Sequence, residues 1–208
     1  MNFISLFLLG FFFSFVGSIS PSMLNMTALK ISLENGKKGT YKYALGVSLV
    51  VILQAYIAVF LTKYIAENQV VLEYLEKAGI VVFIFLSFYF YKESKKSKLK
   101  KAITNVKKET PFLKGILLST LNMFAIPFFC IVTSILDAFS LFSFSFTPVF
   151  FFVLGSVIGT FYILFLYGKY AKKIQNKTGK LTKDINIILS IITALVAFFS
   201  VIKLFLNK

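Results

Sequence analysis

The feature that most restricts this chain is the arrangement of its apolar residues, which come in six long runs separated by short polar segments. The runs cover residues 3–29, 43–65, 75–91, 112–136, 148–168 and 185–206. At about 1.5 Å of rise per residue, such runs cross a hydrocarbon core of roughly 30 Å, the third at the short limit. A backbone surrounded by lipid must bond to itself, so runs of this kind become helices. A soluble core could not hold them. The chain is 58% hydrophobic with a mean hydropathy of +0.83, whereas a domain of this size leaves about a third of its chain surface wet. The reading is an all-α integral membrane protein, one polytopic domain over residues 1–208.

Charge placement orients the spans. The formal net charge is +15, and all 23 basic residues are lysines. Four lie between 30 and 42, nine between 92 and 114, and six between 169 and 183. The intervening segments differ: Lys63 and Lys77 stand with Glu67, Glu73 and Glu76, and between spans four and five only Asp137 is charged. A lysine at mid-membrane costs about 2.5–3.5 kcal/mol on insertion scales, so lysine-rich loops stay in the cytoplasm. Loops one, three and five are therefore expected on the cytoplasmic side of the cell's inner (cytoplasmic) membrane, with both termini outside. The first 20 residues lack the basic approach of a secretory signal, and their apolar run is read as a retained first helix.

The same pattern narrows the chemistry. A basic soluble protein would suggest nucleic acid, but no basic, aromatic-interleaved soluble module exists here, so no nucleic-acid partner is expected. Cys130 is the single cysteine and lies in an apolar run, which suits a small buried hydrophobe. The chain contains no histidine. Intrachain disulfides, cysteine metal clusters and histidine acid–base relays fall away together. No Asp, Glu or Lys stands near the centre of a span, which weighs against an intramembrane enzyme. No cofactor and no metal site are expected.

Proline and capping signals mark the breaks and starts. Ser20-Pro21-Ser22 interrupts span one, and Pro21 frees the carbonyl of Gly17 four residues earlier. Thr110-Pro111 and Thr147-Pro148 each place a capping residue before a proline at the expected first helical position. Asp184 opens span six, where a carboxylate suits the helix dipole.

A local repeat ties the halves together. Ser22-Met23-Leu24-Asn25-Met26 matches Ser119-Thr120-Leu121-Asn122-Met123, with Pro21 beside the first and Pro127 beside the second. Chance agreement in an apolar alphabet is the plain alternative. Three spans per half would run the copies in opposite directions, the inverted plan of many secondary transporters. The expectation is two inverted three-helix repeats, about 1–92 and 111–208, joined by the basic loop 93–110 and interrupted in helices 1 and 4.

Polar groups within spans supply the candidate site. Asn25 and Asn122 each offer two donors and two acceptor lone pairs, suited to a zwitterion, although an interhelical bond is the plainer use. Ser20 and Ser22, with Pro21, would line a small uncharged polar site; each hydroxyl alone could instead bond its own helix. Gln54 stands near the centre of span two without a solvent outlet, lining or partnering the site. The candidate substrate-binding set is Ser20, Pro21, Ser22, Asn25, Gln54 and Asn122. Gly155-x-x-x-Gly159 has the spacing of close helix packing, within the chain or in a homodimer.

These residues give the chain its likeness. Gly17-Ser18-Ile19-Ser20-Pro21-Ser22-Met23, the turn Glu34-Asn35-Gly36-Lys37-Lys38-Gly39, then Ala44-Leu45-Gly46-Val47, and Gly115 through Phe124 with Asn122 kept resemble the LysE/RhtB superfamily of amino-acid exporters. The departures are specific. Ser22 and Met23 replace two letters of that family's Pro-Gly-Pro, Ser119 stands for an asparagine, and Met123-Phe124 for Pro-Lys. Val51 falls where an acidic residue is common, and Gln54 where a histidine often sits. The resemblance implies export of amino acids or similar small polar metabolites. The rival expectation is a non-transport structural, assembly or lipid-interacting membrane protein that works through the basic loop 92–108, each surface lysine drawing anionic lipid by about 1 kcal/mol.

Overall fold

The computed structural model describes residues 2–20, 22–68, 70, 74, 81, 84, 85, 87–89, 91, 92, 110–122, 124–175, 190, 191, 194, 195, 198 and 202. Pro21, Asp184, the basic segment 93–109 and most of spans three and six lie outside them. The assigned elements are all helices: α1 (Phe3–Gly17), α2 (Met23–Glu67), α3 (Pro111–Thr120), α4 (Ala125–Ala138), α5 (Phe146–Lys169) and the short α6 (Ala171–Gln175). Among the described residues, α2 and α5 are long and apolar enough to cross a membrane. The pair α3 and α4, bent by 64°, makes a third if counted as one span.

The chain forms two compact units. The first joins Met1–Tyr64 to Asn105–Asn176, and the second joins Ile65–Thr104 to Lys177–Lys208. Each unit therefore draws one segment from each half of the sequence.

Helix boundaries follow local chemistry. α1 ends at Gly17, four residues before Pro21, where a proline ring excludes the helical carbonyl and supplies no N–H. The second break is different: α3 stops at Thr120, and Pro127 falls in the first turn of α4. α3 begins with Thr110 at the cap and Pro111 at the first position. α5 starts earlier than Thr147-Pro148 suggests: Ser145 is its cap and Phe146 its first residue. Pro148 still falls within the first turn, whose N–H groups need no helical partner.

The lysine-bearing loop expected over 30–42 is helical except at one residue. Gly36 alone leaves the helix, with φ 68° and ψ −168°, dividing α2 into two arms. Lysine is a good helix former, so Lys30, Lys37, Lys38 and Lys42 do not end a helix. A positive φ paired with ψ near 180° is a region essentially confined to glycine, where another residue costs about 1–3 kcal/mol.

In the first unit, helices cross main chain on main chain at two places. α1 lies along α5, where a Cβ on Gly10 would overlap the Phe152 carbonyl and press on the Ser156 nitrogen. A Cβ on Gly155 would meet the Phe7 carbonyl and the Phe11 nitrogen in return. The second crossing, between α3 and α2, repeats that plan. Gly115 faces the Tyr43 carbonyl and Val47 nitrogen, and Gly46 faces the Phe112 carbonyl and Ile116 nitrogen. Gly159 also packs on Phe11, so the Gly155-x-x-x-Gly159 face is occupied within the chain. Small residues are what permit such approach in lipid.

Hydroxyl pairs also join helices. Ser14 Oγ lies 2.7 Å from Thr160 Oγ1 between α1 and α5. Thr62 Oγ1 lies 2.8 Å from Thr133 Oγ1 between α2 and α4. Interhelical bonds of this kind contribute about 0.6 kcal/mol on average. Phe152 carries the aromatic centre, meeting Phe142 at 5.5 Å and Phe129 at 6.4 Å, both edge-on. In the second unit, Ser87 Oγ donates to the Ser190 carbonyl at 3.2 Å, and Ser190 Oγ donates to the Ser87 carbonyl at 3.1 Å.

Candidate substrate site

A helix that stops inside a membrane leaves its last carbonyls without partners. At the first break the carbonyls of Ser18, Ile19 and Ser20 all have donors. Asn25 Nδ2 donates to Ser18 O at 2.6 Å and to Ser20 O at 2.7 Å. The carbonyl between them, Ile19 O, accepts from the Tyr167 hydroxyl of α5, which also neighbours the Asn25 side chain. Ser22 caps the resuming helix, its Oγ accepting from Asn25 N at 3.3 Å and its carbonyl from Met26 N at 2.9 Å. Tyr43 Oη donates to Leu24 O at 3.2 Å. Asn25 is 2% exposed, so both its donors are committed to the backbone.

The second break is held more lightly. Gln54 Nε2 crosses from α2 and donates to Ser119 O at 2.8 Å, and Asn122 N donates to the same carbonyl at 3.0 Å. Asn122 Oδ1 accepts from Phe124 N at 3.4 Å. Its amide NH2 has no partner among the described residues. Gln54 Oε1 is buried and likewise unpartnered among them.

Between the breaks lies a cavity of about 230 Å³. Its polar wall is Ser14, Ser18, Ser20, Ser22, Asn25, Asn122 and Thr160, with Gly17 beside them. Its apolar wall is Leu24, Val51, Phe124, Ala125, Phe128, Phe129 and Leu164. No Asp, Glu or Lys lines it among the described residues. α1 and α3 end at this cavity while α2 and α4 begin there. Two negative and two positive helix ends, each about half an elementary charge, thus supply the field that ionised side chains do not. No cluster of three or more His, Cys, Asp or Glu exists among the described residues to ligate a metal.

Four of the six candidates read from the sequence therefore line one cavity: Ser20, Ser22, Asn25 and Asn122. Gln54 does not line it but grips the Ser119 carbonyl behind Asn122. Pro21 lies outside the described residues. The two matched segments sit differently about their breaks. Ser22 and Asn25 begin the helix after the first break, whereas Ser119 precedes the second break and Asn122 lies within it. Ser14, Thr160, Tyr167 and Phe128 escaped the sequence reading. For Ser14 the available signal was its place one turn after Gly10, on the face that meets α5.

Long apolar helices interrupted around a polar, uncharged cavity mark an integral membrane protein, and broken helices of this kind occur in many secondary transporters. The sequence profile of the LysE type translocator family matches residues 15–205, and the chain belongs to that family. Comparison with curated proteins and with solved structures gives no match.

Proposed function

We propose that the protein is a secondary transporter that exports amino acids or related small polar metabolites across the cytoplasmic (inner) membrane. The observation that carries this reading is the cavity shared by the two breaks, at residues 18–22 and 121–124. A zwitterion suits it. A carboxylate would rest at the start of α2 beside the Ser20 and Ser22 hydroxyls, and an ammonium would turn toward the carbonyl ends of α1 and α3. Asn122 offers its unpartnered amide to the same solute. Asn25 and Gln54 act one step back, holding the two breaks in shape.

Two inverted three-helix repeats, six spans in all, complete the proposal. The twin glycine crossings support it: Gly10 with Gly155 and Gly115 with Gly46 meet the same pair of backbone atoms on each partner. The reciprocal Ser87–Ser190 bonds support it too, since a two-fold relation returns each contact with its partners exchanged. The lysine distribution supports termini on the outer side. Export as the direction rests on the family. The test is metabolite profiling of cells with and without the protein. An amino acid should accumulate inside deletion cells and return to normal with the wild-type chain but not with Asn122→Ala. Identical pools in all strains would overturn the proposal.

A further inference from the structure

We infer that this cavity, taken as the substrate site proposed above, selects neutral amino acids with an apolar side chain, and that Phe128 sets the limit on side-chain size. The hydrogen-bonding groups on its wall suffice for one zwitterionic head and no more. Asn25 has spent both donors on Ser18 O and Ser20 O, and the Ser14 and Thr160 hydroxyls face each other. What remains for a solute is the Asn122 amide and the hydroxyls of Ser18, Ser20 and Ser22. None of these carries a formal charge. A second ammonium or carboxylate on the solute would be desolvated against them without a counter-ion, which strongly disfavours it.

The rest of the wall is hydrocarbon. Val51 from α2, Phe124, Phe128 and Phe129 at the start of α4, and Leu164 from α5 face the cavity. Phe128 is held in place: its ring tip lies against Gly17, where any Cβ would strike it, and its face meets Phe129 edge-on at 5.3 Å. The ring therefore spans from the last residue of α1 to the first turn of α4. At about 230 Å³ the space falls below the roughly 300–1,000 Å³ of drug-sized pockets. A small solute fits beside the ring; a bulky side chain must displace it.

The experiment is counterflow into proteoliposomes of the full chain with labelled leucine, phenylalanine, lysine and glutamate. Leucine should exchange, with lysine and glutamate slower by about tenfold or more. Phe128→Ala should raise phenylalanine relative to leucine by roughly tenfold. Phe128→Leu should shift the ratio less in the same direction, and it provides the reading if the alanine variant does not reach the membrane. Lysine or glutamate exchanging as fast as leucine overturns the neutral selectivity and leaves the transport proposal standing. An unchanged phenylalanine ratio in both variants overturns the role of Phe128. If none of the four solutes exchanges, amino-acid transport itself falls, and this inference with it.

Discussion

The Asn25 amide reaches back across the break that precedes its own helix and donates to the carbonyl of Ser18, 2.6 Å away. That bond, with its twin to Ser20 O, ties the end of α1 to the start of α2. The Asn25 amide is thus a strut of the cavity wall that Asn25 also lines. Asn122, its sequence counterpart, has no partner for its amide donors among the described residues.

The two asparagines should therefore fail differently. Asn25→Ala leaves two part-buried carbonyls without that donor, and should lower thermal stability in detergent by about 1 kcal/mol or more as well as transport. Asn122→Ala should stay within about 0.5 kcal/mol of wild type in stability while losing transport. Equal unfolding midpoints for the two variants would contradict this division of roles.

Glycines of two kinds should be separable by asparagine. Gly10→Ala and Gly115→Ala drive a methyl into a neighbouring backbone, costing about 1–3 kcal/mol, and asparagine there should be worse. Gly36 has open space, but its φ of 68° with ψ −168° is a conformation essentially confined to glycine, so Gly36→Ala and Gly36→Asn should each cost about 1–3 kcal/mol, with no penalty for the larger side chain. Thermal unfolding of the six variants reads the difference. If Gly36→Ala unfolds with the wild-type midpoint, strain is not what glycine relieves there.

Gln54→Leu removes one of the two donors to Ser119 O but leaves Asn122 N in place. The stability cost should be modest, about 1 kcal/mol. Substrate affinity should suffer more than stability, because the turn that carries Asn122 loses its anchor to α2. Substrate dissociation constants for Gln54→Leu and Gln54→Asn, measured beside their unfolding midpoints, check this. Wild-type affinity in Gln54→Leu would exclude the anchoring role.

Tyr167→Phe deletes a single hydroxyl and strands the carbonyl of Ile19. A loss of about 0.5–1.5 kcal/mol follows from one hydrogen bond in a part-buried position. Combined with Asn25→Ala it should not be additive, since the three carbonyls form one braced segment. Strict additivity in a double-mutant cycle would show the two braces to be independent.

Much of this molecule is legible before any coordinates. The alternation of apolar runs and lysines marks helices in lipid, and Pro21 marks Gly17 as the end of α1. Other features follow rules too permissive to read. Lysine neither makes nor breaks a helix decisively, so a turn at Gly36 could pass for a loop over 30–42. The Ser-x-Leu-Asn-Met match drew attention to both asparagines, yet its register about the breaks is not the one the helices use. The correspondence of the two crossings runs through Gly10, Gly115, Gly46 and Gly155, four single residues in an apolar alphabet. Phe128 was invisible for a related reason: it is one of 27 phenylalanines, and only its contact with Gly17 sets it apart.

The two glycine crossings also decide what can move. Where side chains separate helices, a rotamer change absorbs a small displacement; where backbone rests on backbone, that adjustment is missing. α1 with α5, and α3 with the α2 arm after Gly36, are two such close pairs. Helical backbone in this unit is interrupted at three joints: between α1 and α2, at Gly36, and between α3 and α4. Two of those three joints form the walls of the cavity, so any rocking of the pairs reshapes the space between them.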